Sequence, residues 1–172
     1  MLDATAGNRM IWPNKHPPNV VFMDKEFSLD FPPHIFGDFR HPPFREDVFD
    51  CVLFDPPHSW TMPPWMLDPK RRKRKEFKKH NPKYKDSARS WYGVFKSKRD
   101  LLSSINEAQK AFSRLAPRLC LKWSELSVSL WKILPFFTKW KRVHTLERKS
   151  KYARLPHFWV TFINSELCAN SE

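Results

Sequence analysis

Phe49-Asp50-Cys51-Val52-Leu53-Phe54-Asp55-Pro56-Pro57-His58 is the stretch on which the fold turns. Its apolar run, Asp50–Phe54 (DCVLF), is short, continuous and stopped by two prolines, the pattern of a strand buried on both faces of a parallel sheet. Asp55 then sits just past the carboxyl end of that strand, where open α/β sheets bind their ligands.

Working outward, four similar runs recur: Asn19–Met23 (NVVFM), Arg118–Trp123 (RLCLKW), Arg142–Leu146 (RVHTL) and Phe158–Ile163 (FWVTFI). Met1–Ala4 reads as a strand stub that begins at, or is cut by, the start of the chain, and His34–Phe36 as a weak strand. Leu101, Ile105, Ala108, Phe112 and Leu115 lie at steps of four and three. They predict one amphipathic helix from about Lys96 to Leu115, closed by Pro117. A second helix is expected from Ser124 as N-cap to near Phe137, kinked or ended by Pro135. Strands alternating with helices give an α/β sheet, mostly parallel. Pro13, Pro17 and Pro18 leave no more than a turn or two of helix between the first two strands, so the first crossover is stunted.

The 172 residues suit one domain, and 41% apolar content excludes a wholly disordered chain. The formal net charge is +13, unevenly placed. Residues 1–60 hold five Lys or Arg against nine Asp or Glu, while residues 61–172 hold 26 against nine. Much of that excess is one run, Lys70–His80 (KRRKRKEFKKH), with eight Lys or Arg in eleven residues. Such a run repels itself and resists packing, so about 68–90 reads as a flexible basic insertion in the single domain 1–172.

Three widely spaced cysteines suggest neither a disulfide framework nor a zinc site, and the histidines lack paired metal spacing, so no metal is assigned. Three glycines are too few for a Gly-rich phosphate loop. No signal-peptide pattern or membrane-length apolar run is present, so a cytoplasmic protein without membrane contact is expected, or a nuclear one if eukaryotic.

Besides Asp55, three acidic points stand at strand ends. Asp3-Ala4-Thr5-Ala6-Gly7 is a turn of small residues that lets a ligand approach the backbone. Asp24 ends a buried strand and can accept two ribose hydroxyls. Asp38 precedes Phe39, an acid and an aromatic suited to an adenine amino group and its ring.

This order resembles the class I S-adenosylmethionine-dependent methyltransferases, in particular the branch that methylates exocyclic amino groups of nucleic-acid bases. The resemblance spans nearly the whole chain. It implies a Rossmann-like seven-stranded sheet with an antiparallel last strand and S-adenosylmethionine as cofactor. It matches Asp3, Ala4 and Gly7 to the cofactor loop, Asp24 to the ribose acid, Asp38 and Phe39 to the adenine contacts, and Asp55, Pro56, Pro57 and His58 to the catalytic tetrapeptide. His58 stands where that family has Tyr, Phe or Trp to stack on the flipped base; imidazole can stack with less area, and Trp60 could supply the missing face. Only Gly7 survives of the loop's usual glycines.

An exocyclic amine is a poor nucleophile because its lone pair is delocalised into the ring. Hydrogen bonds from its two N–H groups to the Asp55 carboxylate and the Pro56 carbonyl would draw the nitrogen toward tetrahedral geometry. The two prolines fix the loop and remove backbone donors that would compete for Asp55. The expected activity is amino methylation of DNA at adenine N6, with RNA close behind; the alternative is a catalytically idle binding or regulatory subunit of the same fold. Trp60, Lys70, Arg71, Arg72, Lys73, Arg74, Lys75, Lys78 and Lys79 are the expected nucleic-acid contacts, and Trp65, Trp91 and Tyr92 further stacking groups. With no room for a target-recognition domain, a second copy, a specificity subunit or relaxed specificity is expected.

Overall fold

Short apolar runs separated by turns pair into a sheet of seven strands in the computed structural model, which describes residues 1–60, 95–148 and 156–168. The strands are β1 (Leu2–Asp3), β2 (Val21–Asp24), β3 (Ile35–Phe36), β4 (Val52–Phe54), β5 (Arg118–Ser124), β6 (Trp140–Arg148) and β7 (His157–Asn164). Their order is β3-β2-β1-β4-β5-β7-β6. All pairs from β3 to β5 are parallel, and β7 is antiparallel to both of its neighbours. The order reverses at β1, between β2 and β4, which opens a crevice at the carboxyl ends of these strands.

Every strand expected from the sequence is present, with shifted ends. Asn19 has a left-handed φ of 61°, so β2 starts only at Val21. The stunted first crossover contains no helix; its turns are held by side chains instead. The buried Arg9 guanidinium lies 4.0 Å from the centroid of the Phe22 ring and donates to the carbonyls of Lys15 and Pro32. Trp12 meets the same ring edge-on.

One long helix, α1 (Lys98–Leu115), covers a face of the sheet. Ser97 caps it by accepting the Asp100 N–H, and Asp100 in turn accepts the Lys96 N–H. The predicted stripe is the buried one: Leu101, Ile105, Ala108, Phe112 and Leu115 pack with Leu2, Val52, Phe54, Leu119, Leu121 and Val160. Phe54 meets Phe112 edge-on at 5.0 Å and Phe39 at 5.2 Å, so the strand that delivers Asp55 is anchored on the core.

The second predicted helix is corrected. Ser124 is the last residue of β5 rather than an N-cap, because the alternation of Leu119, Leu121 and Trp123 into the core continues through Trp123. The Trp123 indole N–H donates to the Val128 carbonyl, and only then does the short α2 (Leu130–Ile133) begin, followed by a 3-10 turn at Leu134–Phe136. Pro135 stands at the start of that turn, where its missing N–H costs nothing. A last turn, α3 (Ser165–Cys168), follows β7. Among the described residues no helix is long and apolar enough to cross a membrane.

Candidate active site

A cleft of about 330 Å³ lies at the carboxyl ends of β1, β2 and β4. Ala4, Thr5, Ala6, Gly7, Asp24, Gly37, Phe39, the tetrapeptide Asp55–His58 and Lys122 all line it. The sequence-predicted loop, ribose acid and tetrapeptide thus meet in one crevice, although β1 and β4 are 50 residues apart along the chain.

The loop after β1 is tied from both sides. Ala6 N–H donates to the Met23 carbonyl at 3.0 Å, and Gly7 N–H to Asp24 Oδ2 at 2.8 Å. Asp24 Oδ1 accepts the Glu26 N–H, so both carboxylate oxygens are oriented by backbone donors while the residue stays half-buried at the cleft wall. On the other side Thr5 Oγ1 accepts the Asp55 N–H at 2.8 Å. Gly7 needs its φ of 48°, and a Cβ built there meets nothing within 4 Å, so the space over it is open.

Asp3 is buried beneath this loop and is not a lining residue. Its carboxylate accepts the Trp12 indole N–H at 2.7 Å and the Thr5 N–H at 3.3 Å. Burial pushes its pKa up to about 7; the two hydrogen bonds oppose that, and the charges of Asp55 and Asp24 add to it.

Asp38 stands apart from the other expected site residues. Its carboxylate is turned to Arg40 in a two-oxygen ion pair, and Asp38 does not line the cleft. The Arg40 hydrogen bonds hold it below the usual carboxylate range. Phe39 does reach the cleft while packing on Phe54.

At the tetrapeptide, Asp55 Oδ1 lies 3.1 Å from His58 Nε2 and Asp55 Oδ2 lies 2.6 Å from Lys122 Nζ. Burial raises the Asp55 pKa, but the His58 hydrogen bond and the Lys122 charge outweigh it, so the carboxyl titrates below its ordinary value. His58 is not a free stacking platform: it is buried, bound to Asp55 and set edge-on to Trp123 at 4.9 Å, while its Nδ1 is buried without a partner among the described residues. Trp60 is half-buried against the core and does not line the cleft. Lys70, Arg71, Arg72, Lys73, Arg74, Lys75, Lys78, Lys79, Trp65, Trp91 and Tyr92 lie outside the described residues.

Four polar groups at this end make contacts that the sequence reading does not assign. Thr5 and Lys122 contact Asp55 directly. Ser124 Oγ and His157 Nδ1, 2.6 Å apart, pair across β5 and β7 beside them. Burial, then the charges of Lys122 and His58, lower the His157 pKa. The available signal for Lys122 is a lysine interrupting the apolar run RLCLKW near its carboxyl end. Among the described residues no group of three or more His, Cys, Asp or Glu could hold a metal ion.

No protein-family model matches the chain, and no curated protein matches it. Solved structures do. The N-methyltransferase NodS from Bradyrhizobium japonicum superposes with a TM-score of 0.57 at 11% identity, covering 95% of this chain and 84% of NodS. The PH0226 protein from Pyrococcus horikoshii superposes at 0.54 with 9% identity, covering 95% and 81%. At these identities the likeness is one of architecture, and it agrees with the strand order: the chain has the Rossmann-like methyltransferase fold.

Proposed function

We propose that the protein is an S-adenosylmethionine-dependent methyltransferase acting on an exocyclic amino group of a nucleic-acid base, adenine N6 in DNA first and RNA next. The observation that carries the reading is a convergence on one cleft. Asp24 with its tied Gly7 loop lies on one wall, and Asp55, kept ionised by His58 and Lys122, lies on the other.

The residues fit the cofactor. The open space over Gly7 leaves room for a ligand against the backbone. Asp24, already oriented by two amides, has lone pairs left for ribose hydroxyls. Gly37 and Phe39 line the neighbouring wall, where an adenine ring would rest. The charges of Asp55 and Asp24 raise the cost of ionising Asp3 beneath the loop, a field that suits a cationic ligand. When bound, S-adenosylmethionine supplies a methyl group on a positively charged sulfur. The chain's part is to hold the acceptor: Asp55 and the Pro56 carbonyl each take one N–H, which localises the nitrogen lone pair and aims it. The loop fixed by Thr5 and the two prolines keeps these acceptors in place without competing donors.

The nucleic-acid target rests on charge. The basic run begins ten residues after Trp60 in the sequence, and residues 61–172 hold 26 Lys or Arg against nine Asp or Glu. A clamp on phosphate at about 68–90 would hold the target strand and favours single strands, which need no base flipping from a duplex. NodS, an N-methyltransferase by its name, shares the architecture.

A second reading, an idle nucleic-acid-binding or regulatory subunit, draws on one feature: both Asp55 oxygens already have protein partners. Incubation with methyl-labelled cofactor and mixed DNA and RNA, followed by nucleoside analysis, tests the two. Label in N6-methyladenine supports the enzyme; tight, salt-sensitive binding without transfer supports the idle subunit.

A further inference from the structure

We propose that Lys122 is a positioning residue for Asp55, fixing the carboxylate's orientation and ionised state so that its remaining lone pairs serve the acceptor; this rests on the amino-methyl transfer proposed above. Lys122 lies on β5 between the buried Leu121 and Trp123, whose side chains take the opposite face of the sheet. Its own side chain is only 20% exposed, an unusual state for lysine unless it is paired. The pair it makes is Asp55 Oδ2 at 2.6 Å.

The grip comes from two sides. His58 takes the other oxygen from within the tetrapeptide, Lys122 reaches across from the neighbouring strand, and Thr5 fixes the Asp55 backbone N–H. A carboxylate side chain held at both oxygens and at its own amide has no free rotamer. Each oxygen accepts two hydrogen bonds, so one lone pair on each is left. The titratable and charged groups around Asp55 are His58, Lys122, His157 and Asp3. His157 is held toward its neutral form and Asp3 lies beneath the loop, so the groups in direct contact with the Asp55 oxygens are His58 and Lys122. His58, occupied by Asp55 and Trp123, adds to the same hold rather than presenting its face to a base.

The test compares Lys122→Met and Lys122→Arg with the wild-type full chain. Carbon-13 NMR follows the Asp55 carboxyl titration without ligand, and kcat and KM are measured against pH. In Lys122→Met the titration midpoint and the acid limb of kcat should both move to higher pH. There kcat should fall about 100-fold, as for a misplaced reacting group, with KM for the cofactor unchanged. Lys122→Arg should restore most of the rate and the wild-type acid limb. A fall in kcat with an unmoved titration and acid limb, or an Arg variant as poor as Met, overturns the proposal. If Lys122→Met does not fold, Lys122→Gln takes its place. If wild type transfers no methyl group, the NMR titration still decides: a shift keeps the hold on Asp55 and removes the amino-methyl reading, and no shift removes both.

Discussion

The backbone N–H of Gly7 donates to Asp24 Oδ2 at 2.8 Å, making the loop after β1 and the last residue of β2 one unit. Asp24 therefore holds the loop after β1 as well as facing the cleft. Asp24→Ala leaves the Gly7 and Glu26 amides without their acceptor and would remove the proposed ribose contact. Hydrogen bonds to a charged group contribute about 1.5–3 kcal/mol each, so cofactor affinity should fall at least tenfold. Calorimetry with cofactor and with nucleic acid separately checks it; nucleic-acid affinity should not change.

Asp3 gives a pH dependence whose sign is determined. Its carboxyl titrates at about 7 in the folded protein against an ordinary 3.8. The folded state therefore binds this proton more tightly than the unfolded one, and the stability it contributes is full below the ordinary value and lost as pH rises through about 7. Unfolding free energy should fall between these limits by up to about 1.4 kcal/mol per pH unit more steeply in wild type than in Asp3→Asn. In the proposed complex a positively charged sulfur in the cleft would favour ionised Asp3, so the preference for S-adenosylmethionine over its demethylated product, whose sulfur is neutral, should rise with pH through the same range. Titration calorimetry at several pH values reads it, and Asp3→Asn should remove it.

Phe112 supports Phe54, the residue before Asp55, through an edge-on contact at 5.0 Å. Phe112→Ala should cost about 3–5 kcal/mol of stability, as truncation of a fully buried aromatic does. Denaturant unfolding measures it, and a loss under about 1 kcal/mol would mean that the site had collapsed around the gap.

Neutralising four Lys or Arg between Lys70 and Lys79 should weaken single-strand binding and flatten log K against log salt by up to about 3, at about 0.7 per phosphate contact. Cofactor affinity should be unaffected. An unchanged slope would remove this run from the interface.

Strands and the long helix were legible because burial writes itself as apolar runs and as the stripe Leu101, Ile105, Ala108, Phe112 and Leu115. Helix starts were less so. A serine before a mixed segment resembles a cap, but Ser124 follows Trp123, whose burial extends the strand. The pairing of Asp38 was not legible either: Arg40, two residues on, holds its carboxylate at both oxygens, a local contact that strand position does not announce. Lys122 was illegible for the opposite reason, since its partner lies 67 residues away and only the β4–β5 pairing brings them together. The edge-on contact of His58 with Trp123 was not legible either, because the two residues are far apart in sequence and meet only in the fold.

The central claim is that Asp55 takes part in methyl transfer to a base amino group. The most direct measurement is transfer of labelled methyl from S-adenosylmethionine to mixed DNA and RNA by wild type and Asp55→Ala, with nucleic-acid binding followed in parallel. The account predicts label at adenine N6 with wild type, transfer reduced about 100-fold or more by Asp55→Ala, and binding retained by both. Equal transfer by both proteins, or no transfer by wild type to any nucleic acid, would contradict it.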